Sequence, residues 1–433
     1  MKHRKLNVEL GGLVHLYKMS FGYFVTTAVN QALPFLFLPI LTRYLSPPEY
    51  GSIALFALAL AVSNSLAGVP MPTVIFKHFF STDKKYIAAI IGNSIVIVGL
   101  FCLVLILFII IFLPFLQSYL ELSLPGLILI PFTSFAFIVF SLGLSVLQNT
   151  KKVLAFGMFQ VGNTVISLFI SLVFIVALLW GWQGRALGII FSYFISALIA
   201  FAYLRKNGFV SFALSAKLSR HILRVVVPLI PNSFQSVIIV QAGIFFIQFY
   251  FSREMLGLYS IGFQLAVIIQ LLGTTLCMSW SPFLFEQLSH ENRMNKFYIT
   301  RLFYALSAIL VAGVLFINAA SGLILKVMTT PEYSRAREFI PWFTVGFFFQ
   351  GLYTLLFPIL IKREKQNFIS AVSFVSMLAI ILLNILFLRS FGYLGGAYAF
   401  CLTHLLMFVT LFWKAQSILP LPWLRALKLY RTV

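Results

Sequence analysis

The stretch Gln31–Tyr50, QALPFLFLPILTRYLSPPEY, is met again at Gln241–Tyr259 as QAGIFFIQFYFSREMLGLY. Gln31-Ala32 falls on Gln241-Ala242 and Arg43 on Arg253 at an offset of about 210, and Tyr50 meets Tyr259 after a one-residue gap. Farther on, at about 211, Lys151-Lys152 falls on Lys362-Arg363, Gly184 on Gly395 and Ala186 on Ala397. The second half of the chain therefore repeats the first. Two similar apolar halves are the mark of a transporter that works at the interface between its halves.

Composition sets the solvent. Of 433 residues, 61% are apolar and 9% charged, more apolar surface than a water-soluble core can hide. Lipid offers no partners to backbone N–H and C=O groups, and unbroken apolar runs of this length suit helices rather than barrel strands. The sequence predicts an all-α polytopic membrane protein of about twelve spans. They lie near 17–42, 49–72, 86–115, 125–148, 153–181 and 184–204, then 222–251, 254–283, 297–326, 335–361, 367–389 and 392–416. This gives an N-lobe over 1–204, a cytoplasmic linker over 205–221, a C-lobe over 222–416 and an amphipathic cytoplasmic tail over 417–433. All six Trp fall at span ends or in the tail, at the headgroup level that indole prefers.

A net charge of +21 would suggest nucleic acid in a soluble protein, but its distribution points elsewhere. Of the 31 Lys and Arg, all but Arg43, Arg185, Arg253, Lys326, Arg335, Arg337 and Arg389 fall on one side of the span map. By the positive-inside rule both termini are cytoplasmic, so the six-helix halves enter from the same side as parallel repeats. The basic loops read as orientation signals and contacts to anionic lipid. Cys102, Cys277 and Cys401 lie inside spans and read as small apolar fillers. The basic start Met1–Lys5 reads as the flank of a retained first helix, because the apolar run behind it is too long for a signal peptide.

Catalysis finds little support. The ten acids are scattered, no long outer loop gathers carboxylates or His, and no phosphate-cradling P-loop occurs, so ATP hydrolysis is not expected. No metal or cofactor is called for; any driving force would be an ion or membrane-potential gradient. Polar stripes inside the spans say more. Tyr23, Thr26, Thr27, Asn30 and Gln31 share one helical face of span one, and Gln160, Asn163, Thr164, Ser167 and Ser171 one face of span five. Such faces avoid lipid; they serve either helix–helix hydrogen bonding or the wall of a wet cavity. Gln241 and Gln248 read as the counterpart in span seven, where Pro228 and Pro231 are placed to bend the helix. His404, near the middle of span twelve, reads as a packing partner or a proton-coupling group. Lys18, Arg43 and Arg253 read mainly as interface anchors.

Three further stretches carry a family likeness: Thr42–Gly51 (TRYLSPPEYG), Leu256–Ser260 (LGLYS) and Phe391–Ala397 (FGYLGGA). In this order, with twelve spans and a repeat, the chain resembles the bacterial O-antigen and capsule flippases. These are the lipid-linked oligosaccharide exporters of the multidrug/oligosaccharidyl-lipid/polysaccharide superfamily. The resemblance implies two six-helix lobes around a central cavity in the cytoplasmic (inner) membrane. It implies transfer of an undecaprenyl-diphosphate-linked O-antigen, capsule or exopolysaccharide unit to the outer leaflet, beside membrane lipids and a polysaccharide polymerase with its chain-length machinery. Relatives line the cavity with basic side chains; the stripe of span one here is neutral, and Lys77, Arg224 and Arg301 match best by position. Alternatives are a cation-coupled multidrug exporter or a peptidoglycan-precursor flippase of the same superfamily and, from another class, a membrane polysaccharide polymerase or ligase.

Overall fold

The computed structural model describes residues 22, 25–289 and 296–423. Tyr23, Lys18 and the tail beyond Trp423 lie outside them. Among the described residues eleven helical runs are long and apolar enough to cross a membrane. The last run, Gln366–Ile418, holds two helices joined at Gly392–Leu394, so the run count is compatible with twelve spans. In chain order the helices are α1 (Val25–Tyr44), α2 (Pro47–Ala67), α3 (Met71–His78), α4 (Lys84–Ile111), α5 (Leu113–Leu120), α6 (Leu124–Asn149), α7 (Val153–Leu172) and α8 (Gly181–Lys206). There follow α9 (Ala216–Val226), α10 (Ile230–Tyr250), α11 (Arg253–Ser289), α12 (Lys296–Met328), α13 (Ile340–Lys362), α14 (Gln366–Phe391) and α15 (Gly395–Ile418).

Local chemistry explains the breaks. Glu49 reaches back over the start of α2, the carboxylate half of a capping box: Ser46 donates both its N–H (2.9 Å) and its Oγ–H (3.0 Å) to Glu49 Oε2, and Pro47 takes the first helical position. The second span ends at Ala67, and Gly68 at φ 117° turns the chain into the short α3. At Pro228 a 3-10 turn over Val227–Leu229 separates α9 from α10, where the sequence predicted a bend. Arg335 and Arg337, placed by the sequence at the start of span ten, sit instead in the 3-10 segment Pro331–Glu338, while Lys326 lies in the last turn of α12.

The chain divides into two compact units, 1–45 with 55–234 and 46–54 with 235–433. In the first, Ile90, Ile91, Val98, Ile138, Leu142 and Val146 form an apolar core, joined by Leu218, Ile222 and Val226 of α9. The segment after α8 is thus tied down. Asn93, wholly buried, donates to Ala213 O (3.2 Å) and accepts from Ser215 N (3.2 Å) and Ser219 Oγ (3.0 Å). In the second unit Trp280, Leu284, Leu310, Leu355 and Leu411 form the core, and Trp423 closes it by donating its indole N–H to Gln416 Oε1 (2.8 Å).

The repeat is visible in the turns. Lys151 and Glu364 take left-handed φ of 57° and 55°, each in a helix-ending turn. Lys151 N donates to Gln148 O and Lys152 N to Leu147 O; Glu364 N donates to Ile361 O and Lys365 N to Leu360 O. Here Glu364 matches Lys151, two residues beyond the pairing that the sequence suggested.

Candidate functional site in the first unit

Serines and glycines of α7 and α8 decide how closely these helices pack. A Cβ added at Gly188 would stand 2.0 Å from Ser171 Oγ and 2.9 Å from Ser167 O, so only glycine permits this approach. Beyond Leu172 the helix widens into a π segment, Val173–Ala177, and Gly184 packs on Phe174 within it. Arg185 follows in the second turn of α8. Its Nη1 donates to Ser171 Oγ (2.9 Å) and Ser167 Oγ (3.2 Å), both on buried serines.

Beside this guanidinium lies a cavity of about 270 Å3. Its wall comes from Pro34 of α1, Ala57, Leu60, Ala61 and Asn64 of α2, Asn163, Thr164 and Ser167 of α7, and Arg185, Ile189, Ser192 and Tyr193 of α8. The two polar stripes meet here. Thr164 donates its hydroxyl to Asn30 Oδ1, and Ser196 donates to Asn163 Oδ1 at 3.0 Å. Thr26 lies against Gly157, where a Cβ would come within 2.8 Å of its Oγ1. Of the stripe residues, Asn163, Thr164 and Ser167 line the cavity, and Asn30, Asn163 and Thr164 hydrogen-bond between helices.

The other expected residues are more dispersed. Thr27 is half-buried and Gln31 exposed on α1, while Gln160 keeps a buried Oε1 with no hydrogen-bond partner. Lys77 is exposed at the end of α3, and Arg224 is exposed on α9. Their helices pack together, and His78 Nε2 lies 3.1 Å from His221 Nε2. Burial pushes the His78 pKa down, with smaller contributions from His221 and Lys77. In the second unit, Arg301 is exposed on α12, Gln241 is half-buried on α10, and Gln248 has a buried Oε1 without a partner. His404 is buried, with Nδ1 2.8 Å from Phe400 O and its ring 4.2 Å from the Phe400 ring. Among the described residues no three His, Cys, Asp or Glu side chains are placed to hold a metal ion.

Sequence reasoning counted Arg185 among the sparse outer charges and missed it as a lining group. A usable signal was present: Ser167 and Ser171 end the span-five stripe, and Gly184 and Gly188 flank Arg185 as small residues that let the facing helix approach.

The fold has known counterparts. An inward-facing multidrug resistance MATE family transporter of the MOP superfamily superposes with a TM-score of 0.71 at 13% identity, over 95% of this chain and all of that one. The lipid II flippase MurJ, in an inward closed conformation, gives 0.71 at 14% identity, over 95% of this chain and 91% of that one. A MOP superfamily transporter from Pyrococcus furiosus, described as having a binding pocket of reverse polarity, gives 0.62 at 13% identity over 93% and 95%. No curated protein matches the chain. A sequence profile described as "Polysaccharide biosynthesis protein" matches residues 16–288. With that match covering most of its length, on a MOP-superfamily fold, the chain belongs to the polysaccharide biosynthesis protein family.

Proposed function

We propose that this protein moves an undecaprenyl-diphosphate-linked oligosaccharide from the cytoplasmic to the outer leaflet of the bacterial cytoplasmic membrane by alternating access, with both termini cytoplasmic. The observation that carries the reading is the polysaccharide-biosynthesis match over residues 16–288. The fold's likeness to a lipid II flippase supports it.

The chemistry is consistent. A diphosphate cannot shed its water into hydrocarbon unless cationic and N–H donors replace that water. The prenyl tail stays in the bilayer, so only the polar head needs a path. Lys77, Arg224 and Arg301 are the candidate diphosphate contacts. Tyr23, Thr27, Asn30, Gln31, Gln160, Asn163, Thr164, Gln241 and Gln248 are the candidate partners for sugar hydroxyls, and His404 is the candidate for proton coupling. Two states separated by a few kcal/mol suffice for alternation. Export of a peptidoglycan precursor is the second reading, favoured by the MurJ likeness, and differs only in the glycan carried.

Deleting the gene in its host and labelling the lipid-linked glycan by side tests the proposal. Completed units should accumulate on the cytoplasmic leaflet. Normal outward exposure, in a host without a second flippase, would exclude it. Accumulation of peptidoglycan precursor instead would establish the second reading.

A further inference from the structure

Arg185 and the amides of Asn64 and Asn163 bring N–H donors to the cavity of the first unit, and we propose that it binds a phosphate-type oxyanion with Arg185 as the charged contact. An arginine near the outer start of a span ordinarily turns outward to the headgroups. Arg185 does not. Its Nη1 reaches Ser171, the residue on which Gly188 packs, and Ser167, one turn deeper along α7. The charge is drawn into the span, beside open space.

The wall of that space holds one cationic side chain and no carboxylate. Two of its acceptors are committed. Asn163 Oδ1 takes the Ser196 hydroxyl, which leaves the Asn163 amide N–H groups as donors. Ser167 Oγ takes an Arg185 N–H. Asn64 makes no side-chain hydrogen bond to a described residue, so its amide N–H groups are donors for a ligand, while its Oδ1 is a buried acceptor without a partner. A guanidinium fork with flanking amides is the donor set that planar or tetrahedral oxyanions select. Size agrees: a water occupies about 30 Å3 in the liquid, so a cavity of about 270 Å3 accommodates a phosphate or diphosphate with water beside it.

Such an anion has two sources, free phosphate or the diphosphate headgroup of a lipid-linked substrate. The second rests on the flippase reading; the site itself does not. The test uses the full chain in nanodiscs of neutral lipid, with inorganic pyrophosphate followed by titration calorimetry and a polyprenyl diphosphate followed by native mass spectrometry. R185Q should weaken binding by about tenfold or more, the scale of one charge-assisted contact. N64A, which removes no observed hydrogen bond, should leave folding intact and weaken binding by a smaller factor. Thermal unfolding confirms that each variant is folded, and N64A decides the matter if R185Q is not. Binding of the polyprenyl diphosphate alone assigns the site to the lipid headgroup; binding of pyrophosphate assigns it to the free anion as well. Failure of both probes to bind the wild-type chain, or unchanged binding in the folded variants, overturns the proposal. Loss of binding in R185Q alongside a negative glycan-sidedness result would leave the anion site standing and remove the flippase reading.

Discussion

Gly188 does not line the cavity, yet it sets how closely α8 approaches α7 there. Its missing side chain lets α8 settle on α7 closely enough for Arg185 to reach two serine hydroxyls. A Val at this position would force Ser171 and the backbone of Ser167 outward. Overpacking of this kind costs about 1–3 kcal/mol. We expect Gly188→Val to lower the thermal midpoint in detergent by several degrees. The same change at Gly162, around which a Cβ meets nothing within 4 Å, should have little effect. Equal losses at both positions would show that helix propensity rather than packing sets the cost. At this scale the sequence was only partly legible. Periodicity put Asn30, Asn163 and Thr164 on polar faces because a helical repeat is a local property. It could not show that Thr164 hydrogen-bonds Asn30 or that Arg185 turns inward, since both depend on how separate helices meet.

Among the elements, α9 was the least legible. The sequence offered 205–221 as a polar linker and began the seventh span at 222, because Ile222-Leu223 and Val225-Val226-Val227 continue into the apolar run. Instead Leu218, Ile222 and Val226 form one apolar stripe against the core of the first unit, and Lys217, Arg220 and Arg224 an exposed basic one. Ser215 caps the helix by accepting from Leu218 N at 3.4 Å. Where α9 meets α3, His78 faces His221 at 3.1 Å and Tyr86 edge-on at 6.0 Å, with Lys77 beside it. Burial, then the charge of His221 and of Lys77, depresses the His78 pKa below the ordinary 6.5. The folded state therefore binds this proton less tightly than the unfolded one. Its contribution to docking α9 is fully present above about pH 6.5 and is lost as the pH falls through the lower folded value. Hydrogen exchange over 211–226 should accelerate on acidification across that window, and His78→Gln should flatten the response. An unchanged pH profile in that variant would assign the effect to other groups.

At the scale of the molecule, the repeat and the apolar runs were legible at once, because lipid makes hydrophobicity and hydrogen-bond closure nearly sufficient to define a span. The offset was less secure. Turn geometry pairs Lys151 with Glu364, whereas side-chain identity pairs Lys151 with Lys362. Backbone strain, not charge, holds that equivalence, since a left-handed residue closes both helices. The charge asymmetry yields the last prediction. Arg43 ends α1 on the sparsely charged side, and Arg224 stands on α9 on the densely charged side; both side chains are exposed. Truncating either therefore leaves the cores intact, and surface changes of this kind usually move stability by no more than about 0.5 kcal/mol. A difference in export then reports charge rather than folding. If the diphosphate is collected from the cytoplasmic leaflet, Arg224→Ala should lower export of the lipid-linked glycan more than Arg43→Ala at equal membrane levels. The side-specific labelling assay would show the opposite order if the charge that matters stands at the outer end.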